Sequence, residues 1–266
     1  MVIYAALAGN CLIAISKAIA ASLTGSSAMI SEAVHSCADT GNELLLLYGL
    51  RRAELPADRE FPFGHGKEIY FWSFVVAMVL FAGGAGLSIY HGVDQLLTPV
   101  PVRHSKVSYC VIGLSLIFEG TSWYLALREF SRSKGNWSYL QAFHRGKDPS
   151  LFVVLLEDSA AILGLVVAFF GIFLSNATGY PAYDAAAAII IGLILAGTAF
   201  LLAFETKGLL IGESANQEVV QEIRHLASTC KEIKRVNEVL TMHMGPDLNG
   251  ASFSLFVEEY VANQAT

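Results

Sequence analysis

The chain contains six long apolar windows, and these windows constrain its fold more than any other feature. They cover approximately residues 2–22, 27–49, 69–95, 107–127, 150–175 and 183–204. A helix needs roughly 20 mostly apolar residues to cross a bilayer. Only 15% of the residues are charged, whereas a soluble domain usually carries about 25%. We therefore predict a membrane all-α fold, a six-transmembrane-helix bundle over residues 1–206.

Basic residues indicate how this bundle is oriented. The loops 50–68 and 128–149 carry most of the loop Lys and Arg residues, whereas the loops 23–26 and 176–182 have none. Loops rich in Lys and Arg stay on the cytoplasmic side. We expect a multi-pass membrane protein with both termini in the cytoplasm, in the inner or plasma membrane of the cell. The chain has no large basic surface run, which argues against a nucleic-acid partner.

Residues 207–266 have a mixed composition and predict a small cytoplasmic α+β domain. Apolar positions at helical spacing predict a helix over about 216–229 with Ser214 as its N-cap. Alternating patterns predict strands over 236–244 and 252–259. A unit of this size buries little surface and leaves a strand edge open. We therefore expect a partner to cover it, most simply a second copy of the chain in a homodimer.

Ionisable residues interrupt the second and fifth windows. His35 and Asp39 are four residues apart and share one helical face, with Asn42 a turn further along, and the fifth window contains Glu157 and Asp158. Each such group costs a few kcal/mol at bilayer depth and therefore needs a compensating role. One imidazole and two carboxylates, from His35, Asp39 and Asp158, suit Zn²⁺, Fe²⁺, Co²⁺ or Mn²⁺ better than Ca²⁺. The alternative is a hydrogen-bonded His35–Asp39 pair that holds helices together.

Three further polar residues have simpler interpretations. Asp58 and His65 lie in the loop before the third window and are candidates for a second ion site. The glycines and proline around them favour a tight turn instead. Glu119, alone in the fourth window, is expected to be a helix-packing group rather than a ligand.

Four segments together resemble one known family. They read GSSAMISEAVHSCAD (25–39), FGHGK (63–67), LLEDS (155–159) and LLIGE (209–213). In order and spacing the chain resembles the cation diffusion facilitator family of metal/proton antiporters, most closely its zinc transporter 9-like branch. The resemblance implies six spans, a cytoplasmic ferredoxin-like domain, a homodimer and a transport site between the second and fifth spans. It implies His35, Asp39 and Asp158 as the metal ligands.

The chain also departs from the family pattern. Val154 stands where many zinc-transporting members have His or Asp, so the fourth ligand is water, Asn42 or, less favourably, Glu157. Phe61 replaces a histidine of zinc-selective members, which argues against a strong second site at Asp58 and His65. The family's last helix and strand have no counterpart before residue 266, so the ferredoxin-like domain is expected to be incomplete.

These observations predict a secondary transporter that exports a divalent transition metal, in the first place Zn²⁺, from the cytoplasm in exchange for protons by alternating access. Histidine must be neutral and aspartate ionised to bind metal, so metal and protons compete for the same groups. Two alternatives remain. One is a non-transporting metal-binding membrane scaffold, and the other is a membrane metalloenzyme. The chain has no HExxH or nucleophile motif, so we do not expect an enzyme.

Overall fold

A computed structural model describes residues 2–133, 149–215, 217–229 and 236–245 of the chain, and all of the regular structure in these ranges is helical. Its elements are α1 (Val2–Thr24), α2 (Ser27–Ala53), α3 (Glu68–Val79), a π-helix (Leu80–Gly86), α4 (Leu87–Leu97), α5 (Ser105–Ser133), α6 (Pro149–Thr178), α7 (Ala182–Ile211) and α8 (Gln217–Thr229). Three of these elements, α3, the π-helix and α4, follow one another without a break and form one long helix, Glu68–Leu97. Each of the six predicted windows therefore coincides with one long helix.

Four long helices of the described residues are apolar enough to cross a membrane. They are Glu68–Leu97, Ser105–Arg132, Val153–Thr178 and Ala182–Ile211. The apolar part of α1, Gly9–Thr24, is shorter. The many ionisable and polar side chains of α2 lower its hydropathy. The multi-pass membrane bundle is confirmed, whereas the count of six spans stays a prediction.

Helix α2 lies at the centre of the bundle. It packs against α1, α3, the π-helix, α4, α6 and α7, whereas α5 packs against α1 and α6. Apolar side chains fill the interior between these helices. Fully buried examples are Met29, Ile69, Leu80, Leu165, Ile172, Ile191, Leu195 and Leu202.

The outer faces of the bundle carry large apolar side chains. Leu12, Ile117, Phe200 and Phe204 are each at least 65% exposed. A soluble protein rarely exposes so much contiguous apolar surface. These faces suit a lipid environment, where backbone polar groups must be satisfied within the helices.

Polar residues join three helices at the end of the bundle where α2 begins. The Ser26 hydroxyl donates to Asp184 Oδ1 (2.6 Å), and the Ser27 amide donates to Asp184 Oδ2 (2.7 Å). Gln95, at the end of α4, accepts hydrogen bonds from both the amide and the hydroxyl of Ser27. The Asp184 carboxylate thereby caps the positive end of the α2 dipole. Gly25 makes the preceding turn with a φ of +65°, which favours glycine.

Glycines bring α4 and α7 into close contact. A Cβ atom at Gly192 would lie 2.6 Å from Ile89 Cγ1, and one at Gly92 would lie 2.6 Å from Ile189 Cγ1. Each glycine thus faces an isoleucine of the other helix. Small residues of this kind let membrane helices approach closely.

The residues after α7 lie against the loop that joins α2 to α3. Lys67 Nζ is 3.4 Å from Met242 Sδ, and the His243 amide donates to the Glu213 carbonyl (3.0 Å). Helix α8 confirms the predicted helix over 216–229. Ser214 is not its N-cap, since its hydroxyl lies 2.9 Å from Thr241 Oγ1.

The predicted strand over 236–244 is wrong for the described residues, where 236–245 form no regular structure. A strand needs a neighbour to pair its backbone groups. Among the described residues, a single backbone-to-backbone hydrogen bond reaches this segment, between the His243 amide and the Glu213 carbonyl. The predicted partner strand over 252–259 and most of the basic loop 128–149 lie outside the described residues.

The contact between α4 and α7 gives a test of the fold. Gly192→Ala should lower the free energy of unfolding by about 1–3 kcal/mol, because overpacking forces the two helices apart. The measurement is thermal unfolding of the purified protein in detergent. Gly197→Ala on the same helix is the matched control, since nothing lies within 4 Å of its added Cβ. Equal stability of the two variants would contradict the close α4–α7 contact.

Candidate functional site

His35 and Asp39 form the centre of the candidate site on α2. His35 Nδ1 lies 3.1 Å from Asp39 Oδ1, which confirms that the two side chains share one face of the helix. His35 is fully buried, and Asp39 is 24% exposed. Among the described residues, neither ring nitrogen of His35 nor Asp39 Oδ1 makes a hydrogen bond of good geometry. Buried polar atoms are nearly always satisfied, so these atoms are suited to a ligand.

Asn42 and Glu157 meet across the interface between α2 and α6. The Asn42 side-chain amide donates to Glu157 Oε1 (2.7 Å), and both residues are buried. Glu157, rather than the predicted ligand Asp158, thus makes this hydrogen bond to α2. Asn42 Oδ1 is buried and has no hydrogen-bond partner among the described residues.

Asp158 follows Glu157 on α6, and its side chain contacts α5. The Ser122 hydroxyl donates to Asp158 Oδ2 (2.9 Å). In the described parts of the chain, no three His, Cys, Asp or Glu side chains lie close enough to hold one ion. The structure thus brings His35 and Asp39 together and leaves Asp158 bonded to a neighbouring helix.

A buried lysine near the site escaped the sequence analysis. Lys17 is fully buried, and its Nζ donates to Glu119 Oε1 (2.7 Å), Glu32 Oε2 (2.9 Å) and Ser36 Oγ (2.9 Å). Glu119 is therefore not a lone packing group, because it pairs with this lysine. The available signal was Lys17 itself, a charge in the middle of an apolar window.

Asp58 and His65 are close together, as a second ion site would require. Asp58 Oδ2 lies 3.1 Å from His65 Nε2. Asp58 Oδ1 also accepts the amides of Glu60 (2.8 Å) and Phe61 (2.7 Å). The Phe61 amide, followed by the His65 side chain, holds the pKa of Asp58 below its usual value. A carboxylate with these hydrogen bonds stabilises a turn. The second ion site stays a prediction.

Val154, the position at which the family resemblance suggests a further ligand, lies on α6 one turn before Asp158. Its side chain is 39% exposed. A valine side chain supplies no ligand atom.

The hydrogen bond between Asn42 and Glu157 can be tested by its effect on stability. Asn42→Leu should lower the free energy of unfolding by about 1–3 kcal/mol, because it leaves a buried Glu157 oxygen without its donor. The measurement is thermal unfolding in detergent with a chelator present. Thr40→Ala is the control, since among the described residues the Thr40 hydroxyl bonds to the Ser36 carbonyl of its own helix and to no other helix. An Asn42 variant as stable as the Thr40 variant would contradict the cross-helix bond.

Fold and site together define a class of protein. The helices expose apolar faces outwards and bury a histidine, a lysine and several carboxylates inside. Ionisable groups within membrane helices are expensive and mark ion pathways. The chain is thus an integral membrane protein with several ionisable side chains in the interior of its helix bundle.

A model of one protein family matches most of the chain. The cation efflux transmembrane domain matches residues 3–211. The chain therefore belongs to the cation efflux family, the cation diffusion facilitators. Its relatives are transporters, which agrees with the expectation that the chain is not an enzyme.

Individual relatives confirm the predicted branch. Two are proton-coupled zinc antiporter SLC30A9, mitochondrial: that of Xenopus laevis is 36% identical over 84% of this chain, and the human protein is 34% identical over 84%. Metal tolerance protein C4 of Arabidopsis thaliana is 31% identical over 75% of this chain. The matched segments cover 40%, 39% and 44% of these relatives' own lengths. The vertebrate names specify mitochondria, and the inner or plasma membrane expected for this chain stays a prediction.

Proposed function

We propose that this chain is the membrane part of a homodimeric secondary transporter that moves a divalent transition metal, in the first place Zn²⁺, out of the cytoplasm in exchange for protons by alternating access. The observation that carries the proposal is the His35–Asp39 pair, in which His35 is buried and its Nε2 has no hydrogen-bond partner among the described residues. This pair lies on the central helix of a cation efflux fold. The SLC30A9 relatives, named as proton-coupled zinc antiporters, support zinc and protons as the exchanged ions.

The proposed ligands are His35, Asp39 and Asp158. Asp158 would exchange its hydrogen bond from Ser122 for the ion, which also neutralises the negative charge of Asp39. The carbonyl oxygen of Asn42 supports a role as fourth ligand, because it is buried and unpaired among the described residues. Water is the alternative fourth ligand. Glu157 is the least favoured, since its hydrogen bond to Asn42 holds α6 against α2.

Charge balance accounts for proton exchange. Two carboxylates neutralise one divalent ion in a medium where uncompensated charge is costly. When the ion leaves, Asp39 and Asp158 repel each other unless protons replace it. His35 must be neutral to bind metal and can hold a proton otherwise. Metal release and proton uptake therefore involve the same side chains.

Two further parts of the proposal concern orientation and assembly. The α2–α3 loop lies at the same end of the bundle as the residues after α7. The basic residues of that loop support a cytoplasmic position for this end of the bundle and for both termini. Residues 207–266 would form a separate ferredoxin-like domain. Helix α8 within it buries none of its described side chains, which supports a second copy as its cover.

A non-transporting metal-binding scaffold is the second candidate function. The hydrogen bonds of Asp158 to α5 and of Glu157 to α2 favour it, because both hold helices together without an ion. Metal flux separates the two candidates, since a scaffold would bind metal without moving it.

Removal of either ligand carboxylate tests the site. In proteoliposomes, Asp39→Asn and Asp158→Asn should each reduce Zn²⁺ flux to the level of protein-free vesicles, because each loses a ligand and a compensating charge. The measurement is uptake followed with a zinc-sensitive dye. Asp94→Asn, an exposed carboxylate near the end of α4, is the control and should retain flux. Full flux in the Asp158 variant would remove that residue from the ligand set.

Proton coupling has a separate test. At saturating metal, the wild-type metal flux should increase when the pH gradient drives protons across the membrane in the direction opposite to that of the metal. His35→Asn should keep a weak flux with fewer protons per ion, because asparagine can still bind metal but does not titrate. The measurement is simultaneous metal and pH recording in proteoliposomes. A wild-type flux that ignores the pH gradient would contradict antiport and favour a channel or a scaffold.

A further inference from the structure

The Lys17 ammonium group is surrounded by oxygen atoms, as a bound metal ion would be. Its ammonium group has three N–H donors, and these bond to carboxylate oxygens of Glu32 and Glu119 and to the hydroxyl of Ser36, at 2.7–2.9 Å. Glu32 and Ser36 share one face of α2, and Glu119 comes from α5. Lys17 itself reaches them from α1. All of the donors of this buried cation are therefore used, by oxygen atoms of two other helices.

The cluster around Lys17 has more acceptors than the lysine can satisfy. Glu32 Oε1 and Glu119 Oε2 are buried, and neither has a hydrogen-bond partner among the described residues. Two carboxylates surround one ammonium, so the ionised cluster carries a net charge of −1. Gly164 of α6 leaves the space that Glu32 Oε1 occupies, because a Cβ at that position would collide with this oxygen.

The cluster lies next to the proposed metal site but is separate from it. Glu32 precedes His35 by about one helical turn on α2, and its carboxylate contacts Lys17 rather than the His35–Asp39 pair. Lys17 is not among the proposed metal ligands. A buried ion network of this kind often adds little stability, so stability alone is a weak explanation for it.

We propose that Lys17 is a tethered cation that fills an oxygen-lined divalent-cation position formed by Glu32, Ser36 and Glu119. The ammonium keeps free divalent ions out of this position and confines them to the neighbouring site that contains a histidine. Lys17 is thus a specificity-determining residue. It limits how many ions the chain holds.

The chemistry of the cluster identifies the ion that would replace the ammonium. Carboxylate and hydroxyl oxygens without nitrogen or sulfur suit Mn²⁺ or Mg²⁺. Removal of the lysine charge leaves two carboxylates, whose charge one divalent ion cancels. Mn²⁺ is the practical probe, because its free aqueous form gives a strong electron paramagnetic resonance signal.

The experiment counts Mn²⁺ ions bound per full chain in detergent by equilibrium dialysis, with free Mn²⁺ read by electron paramagnetic resonance. Lys17→Met, which keeps much of the lysine side chain's length without its charge, should bind one more Mn²⁺ per chain than the wild type. Its thermal unfolding midpoint should also rise on addition of Mn²⁺ by more than that of the wild type. Lys17→Met combined with Glu119→Gln should lose the extra ion.

Two controls separate this effect from a general loss of charge. Lys17→Arg keeps the tethered cation and should bind no extra Mn²⁺. Lys106→Met removes an exposed lysine at the start of α5 and should also bind no extra ion. A folded Lys17→Met protein that binds the wild-type number of ions would overturn the proposal.

A second variant decides the question if Lys17→Met does not fold. Lys17→His replaces the ammonium with an imidazole that can itself ligate metal, so it should fold in the presence of Mn²⁺ and bind one extra ion. Failure of both variants to fold with Mn²⁺ present would overturn the proposal, because an ion that replaces the ammonium must restore its contacts. The measured quantity is the number of bound Mn²⁺ ions in the variant relative to the wild type, and it does not depend on transport. Loss of proton-coupled flux would therefore contradict the proposed function and leave this inference unaffected.

Discussion

The cost of placing charge inside an apolar bundle governs this structure. An ionised group at bilayer depth costs several kcal/mol unless other groups compensate it. Lys17 shows the compensation within the protein, since two carboxylates and a hydroxyl surround it. His35 and Asp39 show a partial compensation, because they pair with each other whereas His35 Nε2 has no hydrogen-bond partner among the described residues. The two neighbouring clusters thus differ: the Lys17 ammonium uses all three of its donors, and the His35 ring does not use both of its nitrogens.

Helix α2 connects the polar groups because it lies at the centre of the bundle. Its N-terminus is capped by Asp184 of α7, its middle bonds to Lys17 of α1, and its second half bonds to Glu157 of α6. Any change in the α2 position would therefore alter several polar contacts together. The glycine contacts between α4 and α7 let these two helices approach each other closely. Helix packing and site geometry are thus closely linked.

The helices and one face of the site could be predicted from sequence for local reasons. A long apolar window must satisfy its backbone groups internally, and a helix does so without a partner. His35 and Asp39 share a face because their spacing is a property of the helix itself, and the structure confirms the pair. The strand over 236–244 was predicted wrongly, since alternation alone supplies no neighbour for pairing. Glu119 does join two helices, as expected, but its partner Lys17 was missed because it lies 102 residues away in the sequence.

What the sequence by itself determined is therefore the membrane class, the long helices, the cation efflux family and the polar face of α2. Only the tertiary structure decided which polar groups meet. It paired Lys17 with Glu32 and Glu119 and gave Asp158 a hydrogen bond from Ser122. The physical reason is that periodicity defines the faces of one helix, whereas side-chain packing decides which face turns towards which neighbour.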